Sequence, residues 1–118
     1  MDANEIIQVE EKSNYTILHL IGKFVSEEEA SILKTNLEKY ATQKGSRVIL
    51  DFAYILYFSS ISLGILAKED ENFNKNLGKL VICNVPEILQ NIFNLTKLNL
   101  ILNIVDTLEE AEKEITMK

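Results

Sequence analysis

Residues 49–66 read ILDFAYILYFSSISLGIL, an almost unbroken apolar run that leads into a cluster of serines. Residues 47–52 are apolar without a helical period, which predicts a central strand that is buried on both faces. From Ser60 to about Lys75, apolar side chains follow a spacing compatible with a helix that lies on a sheet. Residues 53–58 are then expected to form an apolar loop. The segment therefore predicts a strand, a loop and a helix that begins with serines.

The N-terminal third predicts two strands and a helix in front of this unit. Short β-rich runs at residues 6–11 and 15–21 are separated by a polar tripeptide, which is typical of a hairpin. Ser26 and Glu29 have the spacing of a capping box, and apolar residues then recur with a helical period. We expect this helix to run to about Gly45, which can end it.

The C-terminal third continues the alternation of strands and helices. Residues 80–83 predict a second buried strand, and Pro86 stands where a residue of a helical first turn belongs. Residues 100–104 predict a last short strand. Asp106 or Thr107 can cap a final helix.

The resulting element order is β-β-α-β-α-β-α-β-α, in which strand–helix–strand crossovers imply parallel neighbouring strands. The length of 118 residues is typical of one domain, and 47% hydrophobic residues supply enough material for one core. We therefore predict one α/β domain over residues 1–118. Its central mixed sheet has four or five strands and is flanked by about four helices.

The charge and the apolar runs of the chain exclude several classes of function. A net charge of −6 without a basic cluster disfavours nucleic acid as a partner. Residues 1–5 lack a basic signal region, and runs such as 17–21 and 80–83 are too short to span a bilayer. We therefore expect a cytoplasmic protein that is not embedded in a membrane.

No residue pattern indicates an enzyme, a metal site or a cofactor site. His19, the single histidine, lies in a strand with no serine or carboxylate at a spacing that defines a triad, which favours a structural role. Cys83 is the single cysteine and lies in an apolar run, where a buried thiol is expected. The acidic pair Glu109 and Glu110 fits a solvated helix surface. We predict no catalytic residue, no metal and no cofactor.

The serine-marked junction resembles the STAS family, the sulphate-transporter and anti-sigma-factor-antagonist domains. These domains carry a strand of the type (I/V)-(I/V)-L-(D/N)-(L/F), a short loop, and D-S-(S/T/A)-G-L-G at the start of a helix. Counted from Asp51, the spacing in this chain matches without a gap. Other positions similar to the family are Gly22, Gly78 and residues 106–111. The resemblance covers nearly the whole chain and implies a STAS-like domain.

The resemblance also implies a function and a modification site. In this family a serine at the helix start is phosphorylated by a kinase that is also an anti-sigma factor, and the match falls on Ser60, with Ser59 as the second choice. The chain would then be an anti-sigma factor antagonist that binds the anti-sigma factor when unphosphorylated and so frees a sigma factor for transcription. A serine phosphatase would be a further partner. The alternative is a STAS subunit of a membrane transporter complex, or a ligand-binding relative, with a structural serine junction.

Two residues at the junction depart from the family pattern. Ser59 replaces the acidic residue that normally precedes the modified serine, and Ser62 replaces a glycine. A kinase that does not recognise this site would leave a constitutive binder. Independently of the family, a helix start stabilises phosphate through its free N–H groups and its dipole. A simple N-cap role for Ser59 or Ser60 is the competing interpretation.

Apolar residues crowd the serine junction on both sides, and any that are exposed would mark a partner site. The sequence does not distinguish those that face outward from those in the core. The predicted partner-binding residues are Tyr57, Phe58, Ser59, Ile61 and Ser62.

Overall fold

A computed structural model describes residues 2–117. The strands are β1 (Ile7–Glu11), β2 (Thr16–Phe24), β3 (Arg47–Phe58), β4 (Lys79–Cys83) and β5 (Asn103–Ile104). The helices are α1 (Ala3–Ile6), α2 (Glu27–Ala41), α3 (Ser60–Lys75), α4 (Glu87–Leu95) and α5 (Leu108–Thr116). A short 3₁₀ helix, Leu98–Leu100, follows α4.

The five strands form one mixed sheet in the order β1-β2-β3-β4-β5. β1 pairs antiparallel with β2, which confirms the predicted hairpin. The three other pairings are parallel, as the strand–helix–strand crossovers predict. The predicted fold class, a mixed α/β sheet flanked by helices, is confirmed.

Alternating side chains of the strands build a core on each face of the sheet. On one face Leu50 and Ile82 belong to the larger apolar cluster, which the buried sides of α2, α3 and α4 complete. On the other face Ile49, Val81 and Cys83 pack in a smaller cluster with α5. Residues 48–52 are buried throughout, which confirms the interior strand. Cys83 is also fully buried, and burial raises the pKa of its thiol to about 12.

Helix α2 begins as the capping pattern predicts. The Glu29 amide donates to the Ser26 hydroxyl over 3.1 Å, and the Ser26 amide donates to the Glu29 carboxylate over 2.9 Å. This reciprocal pair satisfies two amides that lack partners within the helix. The helix ends at Ala41, four residues before Gly45, and Gly45 takes a positive φ of 74° in the turn to β3.

Strand β3 continues to Phe58, so the predicted apolar loop at residues 53–58 is wrong. Parallel pairing with β2 extends to the Phe24–Phe58 pair through two register irregularities. Each irregularity places an extra residue on β3, which lets the longer strand stay paired with β2. The apolar residues after Asp51 therefore belong to the sheet.

The C-terminal boundaries differ slightly from those predicted. Pro86 is the N-cap of α4 rather than a first-turn residue. The predicted strand at 100–104 is reduced to β5, because the 3₁₀ helix occupies the residues before it. Thr107, one of the two predicted caps, accepts a hydrogen bond from the Glu110 amide over 3.1 Å and starts α5.

Two carboxylate side chains of α3 are buried, which no pattern in the sequence predicts. Glu69 and Asp70 are 2% and 5% exposed. The Asn74 side-chain amide lies 3.5 Å from the Asp70 carboxylate, a long hydrogen bond, and burial raises the pKa of Asp70 to about 6. An ionised Asp70 therefore destabilises the folded protein above pH 3.8, its ordinary pKa, and more so through pH 6.

We predict that Asp70→Asn stabilises the protein at neutral pH, because it removes a buried charge. The expected gain in free energy of unfolding is about 1–3 kcal/mol near pH 7.5 and much smaller near pH 4, where the carboxyl is protonated. Urea unfolding at both pH values measures the difference. Glu38→Gln, which alters an exposed carboxylate on α2, is the control. An equal gain at both pH values would contradict the burial effect.

Candidate functional site at the start of α3

The candidate site lies where β2 and β3 end side by side. Phe24 and Phe58 are the last paired residues of these parallel strands. The Ser59 amide donates to the Phe24 carbonyl oxygen over 2.8 Å, and Ser59 has the extended backbone of an N-cap. Its hydroxyl accepts from the Ser62 amide over 3.1 Å. Ser59 thus turns the chain from the sheet into α3 and satisfies a free amide of the helix start.

Ser62 makes a second connection to the same carbonyl. Its side chain is fully buried, and its hydroxyl donates to the Phe24 oxygen over 3.1 Å. The Ser59 and Ser62 hydroxyl oxygens are also 3.2 Å apart, within hydrogen-bond distance. A glycine at position 62 would lack these bonds. The departure from the family pattern therefore strengthens the attachment of α3 to β2.

Ser60 differs from both neighbouring serines because its side chain points to solvent. It is the first residue of α3 and is exposed. Within residues 2–117 its hydroxyl makes no hydrogen bond. The first turn of α3 contains no acidic residue. The position predicted for Ser60 is thus confirmed, whereas its phosphorylation remains a prediction.

The structure separates the five predicted partner-binding residues into two groups. Tyr57 and Ile61 are 60% and 54% exposed, and Ser59 is partly exposed. Phe58 and Ser62 are buried, so their side chains do not belong to the exposed surface of this structure, and partner contact by the five residues remains a prediction. Phe58 instead belongs to the core, where its ring centre lies 5.7 Å from that of Phe24.

Three exposed apolar residues near the junction were not among the predicted partner-binding residues. Tyr54 and Leu56 are exposed within the last five residues of β3, and Val25 is exposed directly after β2. Their apolar character was visible in the sequence, but their exposure was not. We define the junction surface as Ser60 with Val25, Tyr54, Leu56, Tyr57 and Ile61.

Charges near the junction surface are of both signs. The Lys23 ammonium lies 5.6 Å from the centre of the Tyr57 ring, within the range of a cation–π contact. The first turn of α2 begins after the same strand end and contains Glu27, Glu28 and Glu29. Backbone hydrogen bonds from Ser26 and Val25 lower the pKa of Glu29. Cationic and acidic groups therefore accompany the apolar junction surface at the carboxyl ends of β2 and β3.

His19 lies in a polar cluster that its neighbours in the sequence do not predict. Its Nδ1 is 2.7 Å from the buried Asp51 carboxylate, and its Nε2 is 2.9 Å from the Glu10 carboxylate. Asp51 also accepts hydrogen bonds from the Asn84 side chain, over 2.9 Å, and from the Ala53 amide, over 3.0 Å. Glu10 and Asp51 belong to the strands on either side of His19, so the sheet brings together residues that are distant in sequence.

The chemistry of this cluster is that of a structural link. Both His19 nitrogens face carboxylates, which leaves neither nitrogen to accept a proton from a substrate. Burial lowers the pKa of His19, but hydrogen bonds to Glu10 and Asp51 outweigh it, so the net pKa is raised. Within residues 2–117, no group of three His, Cys, Asp or Glu side chains is suited to hold a metal ion.

The family comparison identifies the fold that carries this site. A model of the STAS domain matches residues 7–111, most of the chain. The chain therefore belongs to the STAS domain family. In the part of the chain that the structure describes, no helix has the length and apolar composition needed to cross a membrane.

Solved structures with the same fold include several anti-sigma factor antagonists. A putative anti-sigma factor antagonist from Thermotoga maritima is 21% identical, with 98% of each chain covered and a TM-score of 0.81. An anti-sigma-factor antagonist (STAS) domain protein from Planctomyces limnophilus is 17% identical, with 94% of this chain and 98% of that one covered and a TM-score of 0.78. The Bacillus cell fate determinant SpoIIAA in its phosphorylated form is 16% identical, with 92% and 98% covered and a TM-score of 0.73. At these identities the similarity shows the fold.

We predict that Ser59→Ala destabilises the protein and that Ser60→Ala does not. Ser59→Ala removes the acceptor for the Ser62 amide, a loss of about 1 kcal/mol for a typical N-cap. Ser60→Ala removes an exposed hydroxyl that makes no hydrogen bond to residues 2–117 and is the matched control. Urea unfolding of both variants measures the difference. Equal stability of the two variants would contradict the assignment of the cap.

A second prediction concerns the titration of His19. Because its folded-state pKa is raised above 6.5, the cluster contributes stability that is fully present below pH 6.5 and is lost as the pH rises through the folded pKa. His19→Gln should therefore reduce stability more near pH 6 than near pH 9. His19 is the single histidine, so its proton NMR titration is directly assignable. A measured pKa at or below 6.5 would contradict the cluster.

Proposed function

We propose that this protein is an anti-sigma factor antagonist. Its unphosphorylated junction surface binds an anti-sigma factor and thereby frees a sigma factor for transcription, and the protein itself performs no catalysis. The observation that carries the proposal is the exposed Ser60 hydroxyl at the start of α3, beside exposed apolar side chains. Exposed apolar side chains of this kind mark protein–protein interaction sites.

Ser60 is the better candidate for phosphorylation because Ser59 is already engaged. The Ser59 hydroxyl is the N-cap of α3 and also lies beside the Ser62 hydroxyl. Modification of Ser59 would disturb both contacts, whereas the Ser60 hydroxyl has no hydrogen bond to lose within the described residues. A kinase reaches an exposed first-turn hydroxyl without opening the fold.

A phosphate on Ser60 is compatible with the local electrostatics. The free amides and the positive dipole end of α3 favour negative charge. The first turn of α3 has no acidic side chain to repel it, and the Lys23 ammonium lies at the neighbouring strand end. A phosphate adds up to −2 charges to a surface that is otherwise largely apolar. The fold thus tolerates the modification, and its effect falls on binding.

The proposed function requires the partners of a phosphorylation cycle. The structural relative SpoIIAA is an anti-sigma factor antagonist that has been solved in unphosphorylated and phosphorylated forms. By analogy, the partners of this chain are an anti-sigma factor with serine kinase activity and a serine phosphatase. Because the kinase uses ATP and the sigma factor acts on transcription, the cycle belongs in the cytoplasm.

We predict that the cognate kinase with ATP modifies Ser60 and that the modification weakens binding. The phosphate costs desolvation and repulsion at a surface built for a neutral hydroxyl, so the Kd should rise about a hundredfold. Ser60→Ala should bind constitutively, and Ser60→Asp should bind more weakly than the unmodified protein. Mass spectrometry locates the phosphate, and calorimetric titration against the anti-sigma factor measures the Kd.

Ser13→Asp is the control for added charge, because Ser13 is exposed in the β1–β2 turn at the opposite end of β2. It should leave binding unchanged. Modification at Ser59 alone, or no modification by an active cognate kinase, would overturn the Ser60 switch. Undiminished binding by Tyr57→Ala and Ile61→Ala together would overturn the assignment of the junction surface.

A further inference from the structure

A second exposed apolar surface lies on α4 and the 3₁₀ helix, away from the serines. Leu89 and Phe93 of α4 are buried against the sheet. On the outer side of this region four aliphatic side chains are 64–84% exposed. We call these residues the α4 surface: Ile88, Leu95, Leu100 and Ile101. Aliphatic residues grouped in this way indicate an interaction site.

The α4 surface is almost free of charge, unlike the rest of the chain. Residues 88–105 contain one charged residue, Lys97, and their polar side chains are mainly neutral amides. The whole chain has a net charge of −6. Two copies of such a protein repel each other wherever acidic surfaces meet. The α4 surface is a region where two copies can come together without that repulsion.

The two edges of the sheet also differ in the charge of their strands. β1, at one edge, carries Glu10 and Glu11 and is followed by Lys12, and charged edges of this kind discourage self-association. β5, at the other edge, has two residues, Asn103 and Ile104. α4 lies in the crossover between β4 and β5. Glu114 borders this edge, where its carboxylate accepts a hydrogen bond from the Asn103 side chain and pairs with the Lys79 ammonium at 3.6 Å. The β5 edge and the α4 surface thus belong to the same side of the molecule.

We infer that the α4 surface is the contact between two copies of this chain in a symmetric dimer. A two-fold interface pairs one patch with itself, so the patch must be self-complementary. Neutral aliphatic side chains meet this requirement, whereas a surface of one charge sign does not. An anionic membrane is disfavoured because Lys97 is the single cation of this segment in an acidic protein.

Dimerisation through this surface leaves Ser60 accessible. The later turns of α3 border the α4 surface with charges of both signs, and there Glu71 pairs with Lys68 at 3.6 Å and with Lys75 at 3.2 Å. Ile101 lines a groove with Ala67, Lys68, Asp70, Glu71 and Asn74 of these turns. With a rise of 1.5 Å per residue, these residues lie about 10–20 Å along the helix from Ser60. The dimer would therefore present two junction surfaces. The inference does not depend on the proposed function, because it concerns different residues and a different partner.

Sedimentation velocity and light scattering from about 1 to about 200 μM test the dimer. The unmodified protein should approach twice the monomer mass as concentration rises. The double variant Leu95→Lys, Leu100→Lys places four ammonium groups at the two-fold contact, because each substitution occurs in both copies. Its dimer Kd should rise at least about a hundredfold, so that it sediments as a monomer.

Val9→Lys is the matched control, since Val9 is a partly exposed aliphatic residue of β1 at the opposite edge of the sheet. It should dimerise like the unmodified protein. Circular dichroism and urea unfolding establish that each variant is folded, and Ile88→Lys replaces the double variant if that protein does not fold.

Three outcomes would overturn the dimer. The first is an unmodified protein that stays monomeric at the highest concentration. The second is a folded double variant that still dimerises, or a Val9→Lys protein that dissociates to the same extent. The third is a monomeric protein that pellets with phosphatidylcholine vesicles and loses this binding in the double variant, which would assign the surface to lipid.

Discussion

The carbonyl oxygen of Phe24 holds the candidate site in place, since two groups from the start of α3 donate to it. One is the amide of Ser59 and the other is the hydroxyl of Ser62. Both bonds depend on the parallel pairing of β2 and β3 up to Phe24 and Phe58. The position of the exposed Ser60 hydroxyl therefore follows from the length of β3. A shorter strand followed by a loop would leave α3 without this attachment.

The structure of this junction gives each of the two departures from the family pattern a physical role. Serine and aspartate are both preferred N-caps, so Ser59 retains the capping role of the acidic residue it replaces. It does so without placing a negative charge beside Ser60. Ser62 fills a buried position and uses its hydroxyl inside the protein. Neither departure disturbs the fold, and both leave Ser60 as the most exposed serine of the three.

The two exposed apolar surfaces differ in chemistry, which suits different kinds of contact. The junction surface has a hydroxyl, aromatic rings and Lys23 near Tyr57, so a phosphate there would act on the proposed partner contact. The α4 surface is aliphatic and nearly uncharged, so it has no group that a change of charge would switch. A regulated contact and a constant contact can therefore coexist on one small domain. The His19 cluster ties β1, β2 and β3 together independently of both surfaces.

The sequence alone determined the mixed α/β class, the capping box of α2, the interior strand and the start of α3. These features follow from local propensity and from the spacing of apolar residues, which a linear pattern records. Only the tertiary structure decided that β3 extends to Phe58, that Phe58 and Ser62 are buried, and that Leu56 is exposed. It also decided that His19 meets Glu10 and Asp51. Each of these features depends on the register between strands that are distant in the chain. An apolar or titratable residue looks the same in the sequence whichever face of the sheet its side chain occupies.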